Sequence, residues 1–133
     1  MSIFLVIAGI IGVLILFNTI SGSFGTKGIS MIDVSEAQSM VKDSNVTIID
    51  VRTPQEYKQG HLKKARLIPV SEIGSRIGEI ETLKDSPVLV YCRSGHRSSM
   101  AARILKKAGF SKISNLQGGI TSWQGAGGAV TKK

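Results

Sequence analysis

Apolar and polar residues alternate in short segments from residue 29 onward. Five brief runs rich in Val, Ile and Leu are each followed by a stretch with helix-forming signals. Strands that alternate with helices in this way are typical of an α/β domain with a largely parallel sheet. The predicted strands are Ile29–Ile32, Val46–Asp50, Arg66–Ile68, Val88–Tyr91 and Ile113–Leu116.

Capping residues mark the start of two helices. Asp33 stands three residues before Glu36, and Thr53 stands three residues before Glu56. This spacing favours a capping box, in which the two side chains bond reciprocally to the backbone. Pro54 directly follows Thr53, at the first helical position, where its missing amide hydrogen is tolerated. The pattern therefore predicts helices that begin after Asp33 and after Thr53.

Two further helices are expected later in the chain. In segment 98–108 the apolar residues share one helical face, two lysines occupy the last turn and Gly109 follows. Such an arrangement is typical of an amphipathic helix that ends at a glycine. A second helix is expected over residues 71–80, although Gly74 and Gly78 weaken it.

Residues 3–20 form an apolar run without a charged side chain, with Asn18 and Thr19 as its polar residues. As a helix, a run of this length would extend about 27 Å, close to the hydrocarbon thickness of a bilayer. We therefore predict one N-terminal transmembrane helix. A cleaved signal peptide is the alternative, because Ser21 and Ser23 have the spacing of a cleavage site, but the run is long and no positive region precedes it.

The chain is thus divided into an anchor over residues 1–22, a flexible tether over 23–28 and a globular domain over 29–133. All Lys and Arg residues follow the apolar run, and cytoplasmic flanks of membrane spans are enriched in these residues. The sequence predicts a single-pass protein of the cell or inner membrane whose domain faces the cytoplasm. The single cysteine, Cys92, leaves a free thiol, which favours the same reducing compartment.

The chain is basic, with 17 Lys and Arg against 9 Asp and Glu and a net charge of +8. This balance suits small anions, an acidic membrane surface or nucleic acid. The basic residues are spread in ones and twos with few aromatic neighbours, so no nucleic-acid motif is present. We therefore predict anionic ligands and the membrane as partners, and no nucleic acid, cofactor or metal ion.

Segment 88–101 carries the candidate chemistry. A strand ends at Tyr91, the loop Cys92–Arg97 follows, and a helix is expected to open at Ser98. Ligands bind at this end of the strands in open α/β sheets. Loop amide hydrogens and the positive end of the helix dipole would converge on the cysteine sulfur and stabilise a thiolate. The sequence therefore predicts that Cys92 is a nucleophile.

The rest of the loop forms a candidate anion-binding ring. Arg93 and Arg97 add positive potential, and so does His96 when it is protonated. A buried structural cysteine is the plainer interpretation of a lone cysteine, but charged neighbours would be costly to bury without anions. His96 could contact the ligand directly or contribute mainly through its backbone. The substrate-binding candidates are Arg93, Ser94, Gly95, His96, Arg97 and Ser98.

The size of the ring separates two chemistries. Phosphatases of the cysteine class resemble one another in having five residues between the cysteine and an arginine. Here four residues separate Cys92 from Arg97. The shorter ring favours a sulfur-sized species over phosphate or arsenate.

Three segments resemble the signatures of the rhodanese family, and together they extend over most of residues 29–123. The first contains Asp50-Val51-Arg52, Glu56-Tyr57 and Gly60-His61-Leu62. The second is the loop Cys92-Arg93-Ser94-Gly95-His96-Arg97-Ser98. The third runs from Leu116-Gln117-Gly118-Gly119-Ile120 to Trp123. Their order and intervals make the resemblance specific.

The resemblance implies a rhodanese-like α/β fold with a central, mainly parallel five-stranded sheet flanked by helices. It also implies a persulfide on Cys92, loaded by thiosulfate or a persulfide and discharged to cyanide or to a thiol, including a protein thiol. Four residues are implied as support near the loop: Asp50, Arg52, Glu56 and His61. Gly60 and Gly119 are expected to serve backbone geometry.

Three functions remain in competition. The first is a membrane-tethered sulfurtransferase with turnover on small sulfur donors. The second is a sulfur carrier, in which Cys92 accepts sulfur from a partner protein and passes it on. The third is a phosphatase or arsenate reductase, which the loop length disfavours.

Overall fold

The structure is a computed structural model that describes residues 28–133. Five strands form one sheet in the order β1-β5-β4-β2-β3, and every neighbouring pair is parallel. The strands are β1 (Ile29–Ile32), β2 (Thr47–Asp50), β3 (Arg66–Leu67), β4 (Val88–Tyr91) and β5 (Ile113–Leu116). The predicted parallel five-stranded sheet is confirmed, and its strands differ from the predicted bounds by at most one residue.

Helices cover both faces of the sheet. They are α1 (Val34–Met40), α2 (Pro54–Gln59), α3 (Val70–Ile73), a 3₁₀ helix (Ile77–Leu83), α4 (His96–Lys107) and α5 (Gly119–Gly125). One core cluster packs α3, α4 and the 3₁₀ helix on one face, and a second packs α1 and α5 on the other. All four residues of β4 are buried, as expected for a central strand covered on both faces.

The capping residues act as the sequence predicts, with one difference. At the start of α2, Thr53 accepts a hydrogen bond from the Glu56 amide, and the Glu56 carboxylate accepts one from the Thr53 amide, which completes the capping box. At the start of α1, Asp33 accepts from the Glu36 amide at 2.8 Å, and no reciprocal bond from the Glu36 side chain is present. Both helix starts are confirmed.

The helix expected over residues 71–80 is broken into α3 and the 3₁₀ helix. Gly74 follows α3 directly and Gly78 lies in the 3₁₀ helix, so the weakening expected from two glycines divides the segment. Arg76 bridges the two pieces, because its guanidinium lies 3.4 Å from Glu72 and 2.7 Å from Glu79.

The anchor predicted over residues 1–22, and residues 23–27 of the tether, lie outside the described residues. Across residues 28–133, none of the helices combines the length and the apolar character that crossing a membrane requires.

Candidate active site

Cys92 follows β4 directly, at the carboxyl end of the sheet. The chain turns at Gly95, which has a φ of 109°, and α4 begins at His96 rather than at Ser98. The expected six-residue loop is therefore wrong in length. The helix starts early because the Gly95 carbonyl accepts from the Ser99 amide at 3.2 Å, and the left-handed Gly95 forms the N-cap.

The sulfur of Cys92 is surrounded by hydrogen-bonding groups. The Gly95 amide donates to Sγ at 3.1 Å, and the Ser98 hydroxyl oxygen lies 3.4 Å from Sγ. Burial alone would raise the pKa of the thiol, but hydrogen bonds from the Ser98 side chain and from the amides of Ser98, Gly95 and Ser94 lower the pKa below its usual value. Hydrogen bonds are the largest of the interactions that lower the pKa of this thiol.

The Ser98 hydroxyl is placed to serve both protonation states of the thiol. Its oxygen lies within reach of Sγ and also 3.2 Å from the Gly95 carbonyl oxygen. When Cys92 is a thiol, S–H donates to Ser98, and Ser98 donates to Gly95. When Cys92 is ionised, rotation of the hydroxyl turns its proton toward the thiolate, since a hydroxyl both donates and accepts.

Helix α5 holds the other side of the loop. The Ile120 amide donates to the Cys92 carbonyl at 2.9 Å, and the Thr121 amide donates to the Arg93 carbonyl at 3.2 Å. Gly119, with a φ of 59°, allows this approach, because a Cβ there would lie 2.5 Å from both carbonyl oxygens. These bonds keep the loop carbonyls on α5 and leave the amide hydrogens for the sulfur.

The two loop arginines are in different environments. Arg97 makes a bidentate ion pair with Glu56 of α2, with N–O distances of 2.6 and 2.9 Å. The Arg97 guanidinium holds the pKa of Glu56 at about 2, so the pair stays ionised. Arg93 is exposed on the rim of a cleft. The Arg97 side chain therefore fixes the loop to α2, while that of Arg93 is accessible to a ligand.

Asp50 and Arg52 form a buried pair beneath the site. Arg52 lies 2.6 Å from the Asp50 carboxylate and donates to the Gly60 carbonyl at 2.7 Å. The guanidinium also lies 5.6 Å from the centre of the Tyr91 ring, at the end of β4. The pair thus joins β2, β4 and the end of α2; the supporting role of both residues stays a prediction.

The two histidines do not contact the sulfur. The His96 side chain is exposed at the start of α4. His61 is buried, with its ring nitrogens 2.8 Å from the Tyr57 carbonyl and 3.1 Å from that of Lys133. Its ring stacks on Tyr57, and its backbone pairs with Thr131. His61 therefore fastens the C-terminal segment and makes no described hydrogen bond to the Cys92 loop, whereas the sequence predicted a supporting position near that loop.

Sequence reasoning missed a second polar chain behind the loop. The Ser99 hydroxyl donates to the Gly95 carbonyl at 2.8 Å, and the buried side-chain amide of Asn115 donates to the Ser99 hydroxyl oxygen at 3.0 Å. Asn115 is the polar residue of β5 that is fully buried among apolar neighbours. Buried polar side chains are usually hydrogen-bonded, so a polar residue within an apolar strand could have indicated a hydrogen-bond partner behind the loop.

A cleft of about 360 Å³ opens beside the loop. Its walls come from the Cys92 loop and from α2 and α5, and its lining includes Arg52, Glu56, Arg93, Thr121 and Gln124. Cys92 itself is 1% exposed. The site can therefore admit a small anion beside Arg93, and the fold and site together define an α/β domain built around a single activated cysteine.

Residues 33–126 match the family model described as Rhodanese-like domain, and the chain belongs to this family. It is 46% identical over 78 residues to YqhL of Bacillus subtilis, described as uncharacterized, across 59% of this chain and 60% of that protein. It is 39% identical over 89 residues to a protein of Allochromatium vinosum named sulfurtransferase, across 67% of this chain and 81% of that protein.

A solved structure supports the same fold. The rhodanese-related protein of Thermoplasma volcanium has a TM-score of 0.71 and 30% sequence identity, over 78% of this chain and 99% of that chain. The expected family and its α/β fold are thus confirmed. The aligned segment spans less than two thirds of YqhL, so the similarity concerns the domain.

Proposed function

We propose that this protein is a sulfurtransferase that moves sulfane sulfur through a persulfide on Cys92. The observation that carries the proposal is the set of hydrogen bonds around the Cys92 sulfur, in which the Gly95 amide and the Ser98 hydroxyl lower the pKa of a buried thiol. A thiolate is the nucleophilic form of cysteine, so these hydrogen bonds raise the fraction of Cys92 in the reactive form. The similar protein named sulfurtransferase supports the same chemistry.

The reaction has two steps. In the first, the Cys92 thiolate attacks the outer sulfur of thiosulfate or of a persulfide; the new S–S bond forms as the donor's S–S bond breaks, and sulfite or a thiolate leaves with the electron pair. In the second, cyanide or a thiolate attacks the terminal sulfur, and Cys92 leaves as the thiolate. The loop donors stabilise the charge on sulfur before the first step and after the second.

Two features favour sulfur transfer over phosphate or arsenate chemistry. Four residues separate Cys92 from Arg97, one fewer than the phosphatase ring. In addition, both terminal nitrogens of Arg97 are engaged by Glu56, so the guanidinium that would clamp a phosphoryl group is already occupied.

We also propose that the apolar run over residues 3–20 anchors the domain in a cell or inner membrane, with the domain in the cytoplasm. The absence of charge over these 18 residues and the basic residues that follow support this arrangement. The anchor would confine sulfur transfer to the membrane surface. The physiological donor and acceptor, including a protein acceptor, then act close to that surface.

Intact mass of the full-length protein in detergent tests the persulfide. We expect thiosulfate to add one sulfur atom, cyanide to remove it, and the Cys92→Ser variant to show neither change. Continuous thiocyanate production would identify a turning-over enzyme, whereas loading by a protein persulfide without turnover on small donors would identify a sulfur carrier. No sulfur adduct from thiosulfate, a small persulfide or a protein persulfide would contradict the proposal.

A further inference from the structure

Lysines are concentrated at one edge of the sheet. Because all five strands are parallel, they run from one edge, here called the amino edge, to the other, where Cys92 lies; four of them begin level with one another, and β3 begins opposite Ile49, two residues further along. Segments that follow a helix and precede a strand lie toward the amino edge, and so does the last turn of the helix before them. The lysine edge is the set of six lysines placed there: Lys42, Lys63, Lys64, Lys106, Lys107 and Lys112.

Hydrogen bonds join the segments of Lys112 and Lys84, and Lys42, Lys63 and Lys64 line one shared pocket. The Lys112 carbonyl accepts from the Val88 amide at the start of β4, and the Lys84 carbonyl accepts from Ser111, just before β5. Lys42 lies between α1 and β2, and Lys63 and Lys64 lie just before β3. Five of the six are exposed, Lys106 is half-buried, and none forms a salt bridge with a described residue.

Few acidic residues offset this charge. Asp43 and Asp85 lie in the same set of connections, and Glu81 is already paired with Lys84. The lysine edge therefore carries an excess of positive charge that nothing in residues 28–133 neutralises. An exposed surface with this excess attracts a polyanionic partner.

The N-terminal apolar run is joined to this same edge. Gly28 directly precedes β1, and its carbonyl accepts from the Ile113 amide at 3.2 Å, next to Lys112. Seven residues, 21–27, separate Gly28 from the apolar run and include the basic Lys27. Seven residues reach about 25 Å at most, so the edge that receives them is held near whatever surface the run enters.

We propose that the lysine edge docks on an anionic lipid bilayer, and that the Cys92 loop consequently faces away from the membrane. The proposal rests on the anchor proposed above and is independent of sulfur transfer. Electrostatic attraction acts within about 10 Å of such a surface. The short tether holds the lysine edge close enough to the bilayer for this attraction to act. Each lysine close to an anionic bilayer strengthens attachment by roughly fivefold.

Nucleic acid suits this surface less well. Single-stranded nucleic acid is bound by aromatic side chains that stack on the bases. The exposed large apolar residues among those described are Met31, Met100 and Val130, none of which is aromatic. A bilayer requires only the positive charge that is present.

Lysine labelling of the full chain in nanodiscs tests the orientation. Discs of phosphatidylglycerol and of phosphatidylcholine are compared, and acylation of each lysine is followed by mass spectrometry. We expect Lys42, Lys63 and Lys112 to react at least about threefold more slowly in the anionic discs, and the difference to disappear in about 1 M salt, where the screening length is about 3 Å. Lys58 is the internal control, because it adjoins Gln59 in the wall of the active-site cleft.

Paired charge reversals sharpen the test. Lys42→Glu with Lys112→Glu should abolish the protection of Lys63, whereas Lys58→Glu with Arg103→Glu, an equal change of charge elsewhere, should preserve it. Circular dichroism of each variant checks folding. Equal labelling in both discs, protection of Lys58 to the same degree, or failure of the chain to co-elute with either disc would overturn the proposal. So would protection by an RNA oligonucleotide at physiological salt where anionic discs give none.

Discussion

Removing the Ser98 hydroxyl tests whether hydrogen bonds make Cys92 reactive. Its oxygen lies 3.4 Å from Sγ, and its side chain contributes most among the groups that lower the pKa of the thiol. A hydrogen bond to a charged group contributes about 1.5–3 kcal/mol, and the long contact to sulfur suggests the lower limit. We therefore expect Ser98→Ala to raise the pKa of Cys92 and to lower the thiolate fraction about tenfold at a pH below both pKa values.

The rate of alkylation by iodoacetamide as a function of pH measures this change, because the thiolate is the species that reacts. The Cys92→Ser variant gives the background rate of alkylation at residues other than Cys92. Ser99→Ala is the matched control, since Ser99 donates to the Gly95 carbonyl and makes no contact with the sulfur. We expect the control to retain a pH profile close to that of the unmodified protein.

Equal alkylation profiles for Ser98→Ala and Ser99→Ala would refute a role of the Ser98 hydroxyl in lowering the pKa of Cys92. In that case the low pKa of Cys92 would have to come from the backbone donors alone. If Ser98→Ala instead slows alkylation equally at all pH values, including those above the pKa, the hydroxyl would control access to the sulfur and not its ionisation.

Two further variants probe the support of the loop. Glu56→Gln should destabilise the protein by about 1–2 kcal/mol at pH 7, a value reduced for the partial exposure of the Glu56–Arg97 pair. Because the pKa of Glu56 in the folded protein is lowered to about 2, the difference in unfolding free energy should be complete above about pH 5.5. It should vanish as the pH falls from 4.5 through 2, which urea titrations at each pH measure. Gly119→Ala should cost more than about 2 kcal/mol and slow thiolate alkylation, since its Cβ would meet loop carbonyls at 2.5 Å at a left-handed φ. Gly125→Ala, with open space around its Cβ in the same helix, should be nearly neutral, and an equal loss in both variants would contradict the close-approach argument.

Local sequence signals predicted the sheet well because they coincide with the tertiary structure. The central strand β4 is a continuous apolar run, and Thr53-Pro54 with Glu56 describes a helix start completely. The start of α4 was misplaced because it depends on a left-handed Gly95, and a glycine in sequence permits that conformation without requiring it. Local patterns therefore predict elements better than the turns that join them.

In the candidate site too, local features were predicted and contacts between distant residues were not. Cys92 and its loop were predicted from their position after a strand, and the structure places amides and a hydroxyl around the sulfur. The pairing of Arg97 with Glu56 was not predicted, although both residues were candidates, because 41 residues separate them in the chain. A contact between such distant residues depends on how β2 and β4 are paired, which the pattern of either segment does not contain.

The cysteine loop is clamped from two sides by elements that do not take part in the chemistry. Glu56 of α2 holds Arg97, and α5 amides hold the carbonyls of Cys92 and Arg93. Folding therefore places the sulfur donors before any substrate arrives, and rotation of the Ser98 hydroxyl is the adjustment that ionisation of Cys92 requires. If this is correct, changes in α5 should alter thiolate reactivity more than loss of the Glu56 contact does, because Arg97 makes no described hydrogen bond to the sulfur and acts on it through its charge alone.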